Sequence, residues 1–312
     1  MTPFEIIKCH GSGNDFIMVD TTCGTTPADI DWSAFARAAC DRTTGIGSDG
    51  LLLVVRNDKG IYGMDMLNPD GTHAEMCGNG IRCVARLATE RGYLNSNTLY
   101  SGGREFNISI ATPIAQGIET FAVEIPIGLS SPSFAFYDRN ARFVGEVIDK
   151  LDKNLRFTAL NLGNPHIVAE VESIDMALLE HLGERVKSLT DIFPHGVNVS
   201  LYECRTRRSI FVATYERGAG ITLSCGTAMT ASATAAALLG RVDGGERIEV
   251  RNRGGKVYCT TRGVENPTTT LEGNATYNWR GTASFTDGKL SYSITEHTEE
   301  EQRWQMVAQG IE

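Results

Sequence analysis

Residues 76–92 read MCGNGIRCVARLATERG, and residues 224–240 read SCGTAMTASATAAALLG. Each puts a Cys-Gly-[Asn/Thr] turn ahead of an apolar, alanine-containing stretch, and the two cysteines, Cys77 and Cys225, stand 148 residues apart. Working outward, a polar residue lies nine positions before each cysteine, Asn68 in one case and Glu216 in the other. Further upstream GNDFIMV parallels GNPHIVA, setting Asn14 against Asn164 at an offset of 150, and SDGLLLV parallels GVNVSLY, setting Gly50 against Asn198 at 148. Downstream, SGGREFNIS parallels RGGKVYCTT, with glycine pairs 102–103 and 254–255 at an offset of 152. Landmarks in one order with so little drift describe two copies of a domain of about 150 residues.

Within each copy the pattern is short strands, a glycine-rich turn and one strong helix. FEIIKCHGSGNDFIMVD reads as strand, loop, strand, with Phe4, Ile6 and Phe16, Met18 at period two. Leu51 to Val55 is an apolar run suited to a buried central strand. Ile81, Val84, Ala85 and Leu87 recur near helical spacing, and Ala231 to Leu239 is rich in strong helix formers. The reading is an α+β chain in which many strands surround one buried helix per domain. The boundary is expected in IPIGLSSPS, residues 125–133, giving domains over 1–126 and 127–273. Residues 274–295 are expected to return to complete the first, and 296–312 to form a terminal helix.

Composition excludes several classes. At 312 residues, 41% hydrophobic and 21% charged, the chain is ordinary globular protein, and no apolar run nears the roughly 18 residues that span a bilayer. The N-terminus lacks the marks of a secretory signal, so a cytoplasmic location is expected, with no membrane partner. A net charge of −9 with no polybasic run argues against nucleic acid. Eight cysteines (Cys9, Cys23, Cys40, Cys77, Cys83, Cys204, Cys225, Cys259) show no CxxC pair and no metal-ligand spacing, so neither a zinc site nor a disulfide framework is expected. GIGSDG, residues 45–50, matches a dinucleotide fingerprint in letters only. The helix-like WSAFARAACDR precedes it and the strand LLLVV follows, the reverse of the order that presents a helix N-terminus to a pyrophosphate.

The chemistry gathers at the two cysteines. A thiol where a turn opens a helix meets unsatisfied N–H groups and the positive end of the dipole, which is expected to lower its pKa. If the two domains are related by a pseudo-two-fold axis, one thiolate removes a proton from a carbon while the opposing thiol delivers one to the other face, inverting the stereocentre. The backbone N–H groups of Gly78, Asn79, Gly226 and Thr227 suit an α-carboxylate whose charge rises as the proton leaves. No lysine stands in a context that marks a Schiff base to pyridoxal phosphate, so a mechanism without cofactor is expected.

HGSGNDF, GIGSDGLLLV, NPDGTHAEMCGNGIRCVAR, GNPHIV, GVNVSLYE and YERGAGITLSCGT occur in the order and at the spacing of the diaminopimelate epimerase family, within the cofactor-independent amino-acid racemases, and the chain resembles it over nearly its whole length. The resemblance implies a pair of mixed β-barrel-like sheets, each wrapped around a central helix, with Cys77 and Cys225 as acid/base catalysts. It implies a substrate pocket at Asn14, Asn68, Asn164, Asn198, Glu216 and Arg217, interconversion of LL- and meso-2,6-diaminoheptanedioate, and a homodimer. Arg217 offers a planar fork to a distal carboxylate, and Glu216 an acceptor to an ammonium group. His166 is equally readable as structural. Ile221, Ala228 and His73 depart from the family pattern, the first two beside the second cysteine. Two alternatives stay open: racemisation of another amino acid such as histidine, and a small-ligand-binding protein without activity.

Overall fold

The computed structural model describes residues 2–74, 76–94, 97–129, 134 and 142–310, so residues 130–133 of the expected boundary lie outside it. The chain divides into two compact units, Met1–Val123 with Gly273–Glu312, and Glu124–Glu272. Among the described residues no helix is long and apolar enough to cross a membrane.

The first unit runs β1 (Phe4–Gly11), β2 (Asn14–Asp20), α1 (Trp32–Cys40), β3 (Gly50–Arg56), β4 (Tyr62–Leu67), α2 (Gly78–Glu90), β5 (Thr98–Ser101), β6 (Arg104–Ile110) and β7 (Thr120–Pro126). The second runs β8 (Glu146–Ile148), β9 (Asp152–Asn161), β10 (Pro165–Glu170), α3 (Met176–Ser188), β11 (Asn198–Thr206), β12 (Ser209–Glu216), β13 (Gly220–Ile221), α4 (Gly226–Leu238), β14 (Ile248–Asn252), β15 (Gly255–Arg262) and β16 (Thr268–Asn274). The chain then returns through β17 (Thr276–Thr286), β18 (Lys289–His297) and α5 (Glu300–Ala308). The last strand therefore continues to His297, and the terminal helix begins only at Glu300.

The ladders show the duplication more sharply than the letters do. In the first unit β2 runs parallel to β3 with Phe16 opposite Gly50, and β3 antiparallel to β4 with Leu51 opposite Leu67. In the second, β10 runs parallel to β11 with His166 opposite Asn198, and β11 antiparallel to β12 with Val199 opposite Tyr215. These are the same pairs at the offsets found in the sequence. The next ladders, β4 with β5 and β12 with β14, are again both parallel. At the following turn the register corrects the sequence alignment. Ser101 pairs with Arg104 and Asn252 with Gly255, so the turn equivalent to Gly102–Gly103 is Arg253–Gly254, one residue earlier than the matched glycines suggested. A slip of one residue would turn every side chain of the strand to the opposite face, so the buried ladder and not the glycine count decides the match.

Each unit wraps its sheet around one helix. Residues 78–88 of α2 are all buried, and the helix touches β1 through β5. Residues 226–236 of α4 are likewise buried, against β10, β11, β12, β14 and β15. A helix buried all round must satisfy its polar side chains internally. In α4 the hydroxyls of Thr230 and Thr234 donate to the carbonyls of Gly226 and Thr230, each at 2.8 Å. In α2 the fully buried Arg82 donates to Gly78 O at 2.8 Å, Asn79 Oδ1 at 3.0 Å and Asn274 O at 3.2 Å. The glycine-rich stretch at 45–50 joins α1 to β3, with Gly47 at φ 82°, and serves as a turn.

Candidate functional site

In the first unit Cys77 is the N-cap of α2, in extended backbone, and its sulfur accepts the Gly80 N–H at 3.3 Å. A cap residue takes one of the first-turn donors, which leaves Gly78 and Asn79 at the helix mouth. Asn14, the first residue of β2, brings Oδ1 to 3.7 Å from the Cys77 sulfur and to 3.3 Å from Asn79 Nδ2. Its own Nδ2 donates to Asp49 at 2.7 Å, so the amide is oriented with its oxygen toward the thiol. Asp49 in turn belongs to an ion network with Arg42 and Asp15. Asn68 follows β4 and donates to Thr72 Oγ1 at 3.0 Å within its own turn.

In the second unit Cys225 holds the same place at the start of α4, but its sulfur makes no cap hydrogen bond; it lies 3.4 Å from Thr227 Oγ1. Thr227 Oγ1 also accepts from Asn164 Nδ2 at 3.2 Å and lies 3.1 Å from His166 Nε2, which is 3.0 Å from Asn164 Oδ1. Asn198 Oδ1 accepts the Arg217 N–H at 2.8 Å, and Arg217 Nη1 donates to His195 O at 2.7 Å. Glu216 ends β12, and its Oε1 accepts from Thr222 Oγ1 at 2.5 Å.

The electrostatics overturn one expectation. Burial pushes the Cys225 thiol well above its ordinary pKa, and the Glu216 charge pushes it further; the Thr227 hydroxyl and the Ala228 amide pull the other way and lose. The helix dipole amounts to at most about 2 kcal/mol in partly buried geometry. Full burial moves a pKa by as much as ~5 units, each unit being ~1.4 kcal/mol, so desolvation outweighs the dipole here and the thiol stays protonated. His166 is pushed down to about 3 by burial first and by the Arg217 charge second, so its imidazole is neutral.

The structure thus joins Asn14 and Asn79 to Cys77, and Asn164, Thr227 and Glu216 to Cys225, while Asn198 positions Arg217. Sequence reading missed Asp49, which aims Asn14, and left His166 undecided, although it anchors Thr227. The signal for Asp49 was present in SDG, one residue before the strand that lies beside Asn14. It also missed Lys256 on β15, which is buried and whose ammonium pKa is lowered by burial and then by Arg251. A lowered ammonium pKa is one requirement of a Schiff-base lysine, which makes Lys256→Arg a control against a cofactor-dependent rival. Among the described residues no three His, Cys, Asp or Glu side chains are placed to hold a metal. Ile221 is partly exposed on β13, and Ala228 is fully buried in α4.

Comparison with known proteins gives a consistent picture. Residues 6–111 and 158–278 match the family profile described as diaminopimelate epimerase. The chain is 33% identical to the diaminopimelate epimerase of Clostridium acetobutylicum, over 92% of this chain and 87% of that one. It is 33% identical to that of Listeria innocua over 100% and 98%, and 36% identical to that of Ligilactobacillus salivarius over 87% of each. Among solved structures, a phenazine biosynthesis protein of the PhzF family from Bacillus anthracis superposes with TM-score 0.62 at 16% identity, covering 91% of this chain and 100% of that one. A hydroxyproline epimerase from Agrobacterium vitis superposes with TM-score 0.59 at 13% identity, covering 99% and 98%. At such identities the structures show a shared fold and no more.

Proposed function

The chain belongs to the diaminopimelate epimerase family, and from that premise we propose that it interconverts LL- and meso-2,6-diaminoheptanedioate by cofactor-independent transfer of the α-proton, with Cys77 and Cys225 as the two acid/base groups. The observation that carries the proposal is that the family match takes in both halves of the duplication, and each half presents its cysteine at the mouth of its buried helix. On this reading the two units are a duplicated pair of epimerase domains.

The surroundings assign the roles. Cys225, kept protonated by burial and by Glu216, enters as the proton donor. Removal of the proton from the opposite face then falls to Cys77, whose sulfur is held by the Gly80 amide. The forward step leaves Cys225 as thiolate and Cys77 as thiol, so in the reverse direction the roles exchange: Cys225 takes the α-proton and Cys77 delivers one to the other face. The N–H groups of Gly78, Asn79, Gly226 and Thr227 serve the α-carboxylate, and they bind best when charge has developed on it. Arg217, exposed and held by Asn198 and His195, takes the distal carboxylate, while Asn14, Asn68 and Asn164 contribute neutral polar contacts around the substrate. Cysteine usage supports a reducing, cytoplasmic setting, and the family resemblance supports a homodimer.

Turnover of diaminopimelate and of histidine, compared side by side with no added cofactor, tests the substrate. The proposal expects inversion of diaminopimelate alone, retained when Lys256 is replaced by Arg. Activity on histidine alone, or a requirement for pyridoxal phosphate, would discard it.

A further inference from the structure

The C-terminal helix is tied into the first unit by two adjacent carboxylates. Both oxygens of Glu300 accept from Arg86 on α2, at 2.6 and 2.8 Å, and one also accepts the Tyr277 N–H at 3.0 Å. Glu301 Oε2 accepts from Asn278 Nδ2 at 2.8 Å and lies 2.8 Å from His10 Nε2. Trp304 and Val307 bury the inner face of the helix, and the Trp304 ring centroid is 5.7 Å from that of the buried His10. The family match ends at residue 278, before α5 begins.

His10 links this helix to Cys77. Its Nδ1 accepts the Gly13 N–H at 3.2 Å and faces Asn274 Nδ2 at 3.3 Å. A nitrogen that faces two N–H donors carries no proton, so the imidazole proton sits on Nε2, which is in close electrostatic contact with the Glu301 carboxylate without an aligned hydrogen bond to it. Between His10 and Asn14 the turn is strained: Ser12 stands at φ 54° and Gly13 at φ 79°. Non-glycine residues hold such a conformation only where neighbours over-determine it. Here those neighbours are His10, Asn274, whose Oδ1 accepts the Ser12 N–H at 2.7 Å, and Arg82, which donates to Ser12 Oγ at 3.3 Å. The turn delivers Asn14, whose Oδ1 meets the Cys77 thiol.

We propose that α5 is a positioning element for Cys77, acting through Glu301 and His10 on the turn that carries Asn14; this rests on the reading of Cys77 as an acid/base group. Glu301 selects the imidazole tautomer that leaves Nδ1 bare, Nδ1 closes the turn, and the closed turn seats the asparagine on the sulfur. Glu301 and His10 are positioning residues that touch no substrate.

The test labels the full-length protein with iodoacetamide in the absence of substrate and follows Cys77 and Cys225 separately by peptide mass spectrometry. Glu301→Ala should raise the Cys77 labelling rate about threefold or more as the turn above it loosens, with Cys225 unchanged. Its kcat should fall about tenfold with KM little altered. Glu301→Gln, which keeps an acceptor for His10, should restore both, and Met306→Ala on the exposed side of α5 should match wild type. If Glu301→Ala does not fold, His10→Phe keeps a ring against Trp304, removes the acceptor and should give the same selective rise. Unchanged Cys77 labelling in the folded variant, a parallel rise at Cys225, or a Gln variant no better than Ala would overturn the proposal. Labelling is read without turnover, so a wrong substrate would leave this result standing, and a failed labelling result would leave the epimerase reading standing.

Discussion

At the start of α2 the Cys77 sulfur accepts the Gly80 amide and meets the neutral amide of Asn14, whereas at the start of α4 Cys225 is 8% exposed, makes no cap hydrogen bond and feels the carboxylate of Glu216. The backbones are equivalent down to the register of the flanking ladders. The chemistry at the two caps is not. Duplication copies the backbone that places a cysteine at a helix mouth, and at Cys225 burial and the Glu216 charge then hold the thiol protonated. Helix position alone does not predict thiol reactivity, because burial and a nearby carboxylate are the larger effects. On the proposed reading, that difference marks Cys225 as the group that starts protonated.

The sharpest way to break the comparison is to remove its charge. Glu216→Gln should lower turnover about 100-fold, since it removes a charged acceptor for the substrate ammonium, worth up to ~3 kcal/mol, together with the charge that keeps Cys225 a proton donor. It should also move the pH profile of Cys225 alkylation to lower pH, since the carboxylate raises that pKa, and leave Cys77 labelling where it was. An upward or absent shift at Cys225 would show that the carboxylate does not govern it.

A second effect separates the units by acid. His166 titrates at about 3 in the fold against an ordinary 6.5, so the neutral form favours the fold. Its contribution is fully present above pH 6.5 and is lost as pH falls from 6.5 toward 3, by about 1.4 kcal/mol per pH unit at most. Urea unfolding across that window should show a steeper loss in wild type than in His166→Gln. Equal slopes would contradict the burial argument.

The smallest expected effect tests the first cap. Asn14→Ala removes one hydrogen bond to the thiol, worth about 1 kcal/mol, so kcat should fall roughly five- to tenfold. Cys77 labelling should change while Cys225 labelling stays the same. A loss as large as that of Glu216→Gln would mean that Asn14 does more than orient the sulfur.

Much of this was legible in the sequence. The repeat, the buried helices after Cys77 and Cys225 and the turn at residues 45–50 follow from periodicity and local turn chemistry. The asparagines at 14 and 164 were legible because duplication marks them twice. The one-residue shift at Arg253–Gly254 was not, because strand register depends on the ladder and not on matching glycines. The raised pKa of Cys225 was hidden for a related reason: the dipole is a local property of the helix, whereas desolvation comes from the whole sheet around it. The contacts of Glu300 and Glu301 join positions more than 200 residues distant in the chain, Arg86 and His10, and no local pattern carries such pairings.

The central claim is that a sulfur from each unit takes part in one inversion at one carbon. The direct measurement is stereochemical: LL-diaminopimelate in deuterated water, without cofactor, with wild type, Cys77→Ala and Cys225→Ala, following configuration and deuterium at the α-carbon together. The account predicts that wild type forms the meso product bearing solvent deuterium and that neither single variant inverts the centre. Sustained inversion by either variant would contradict it.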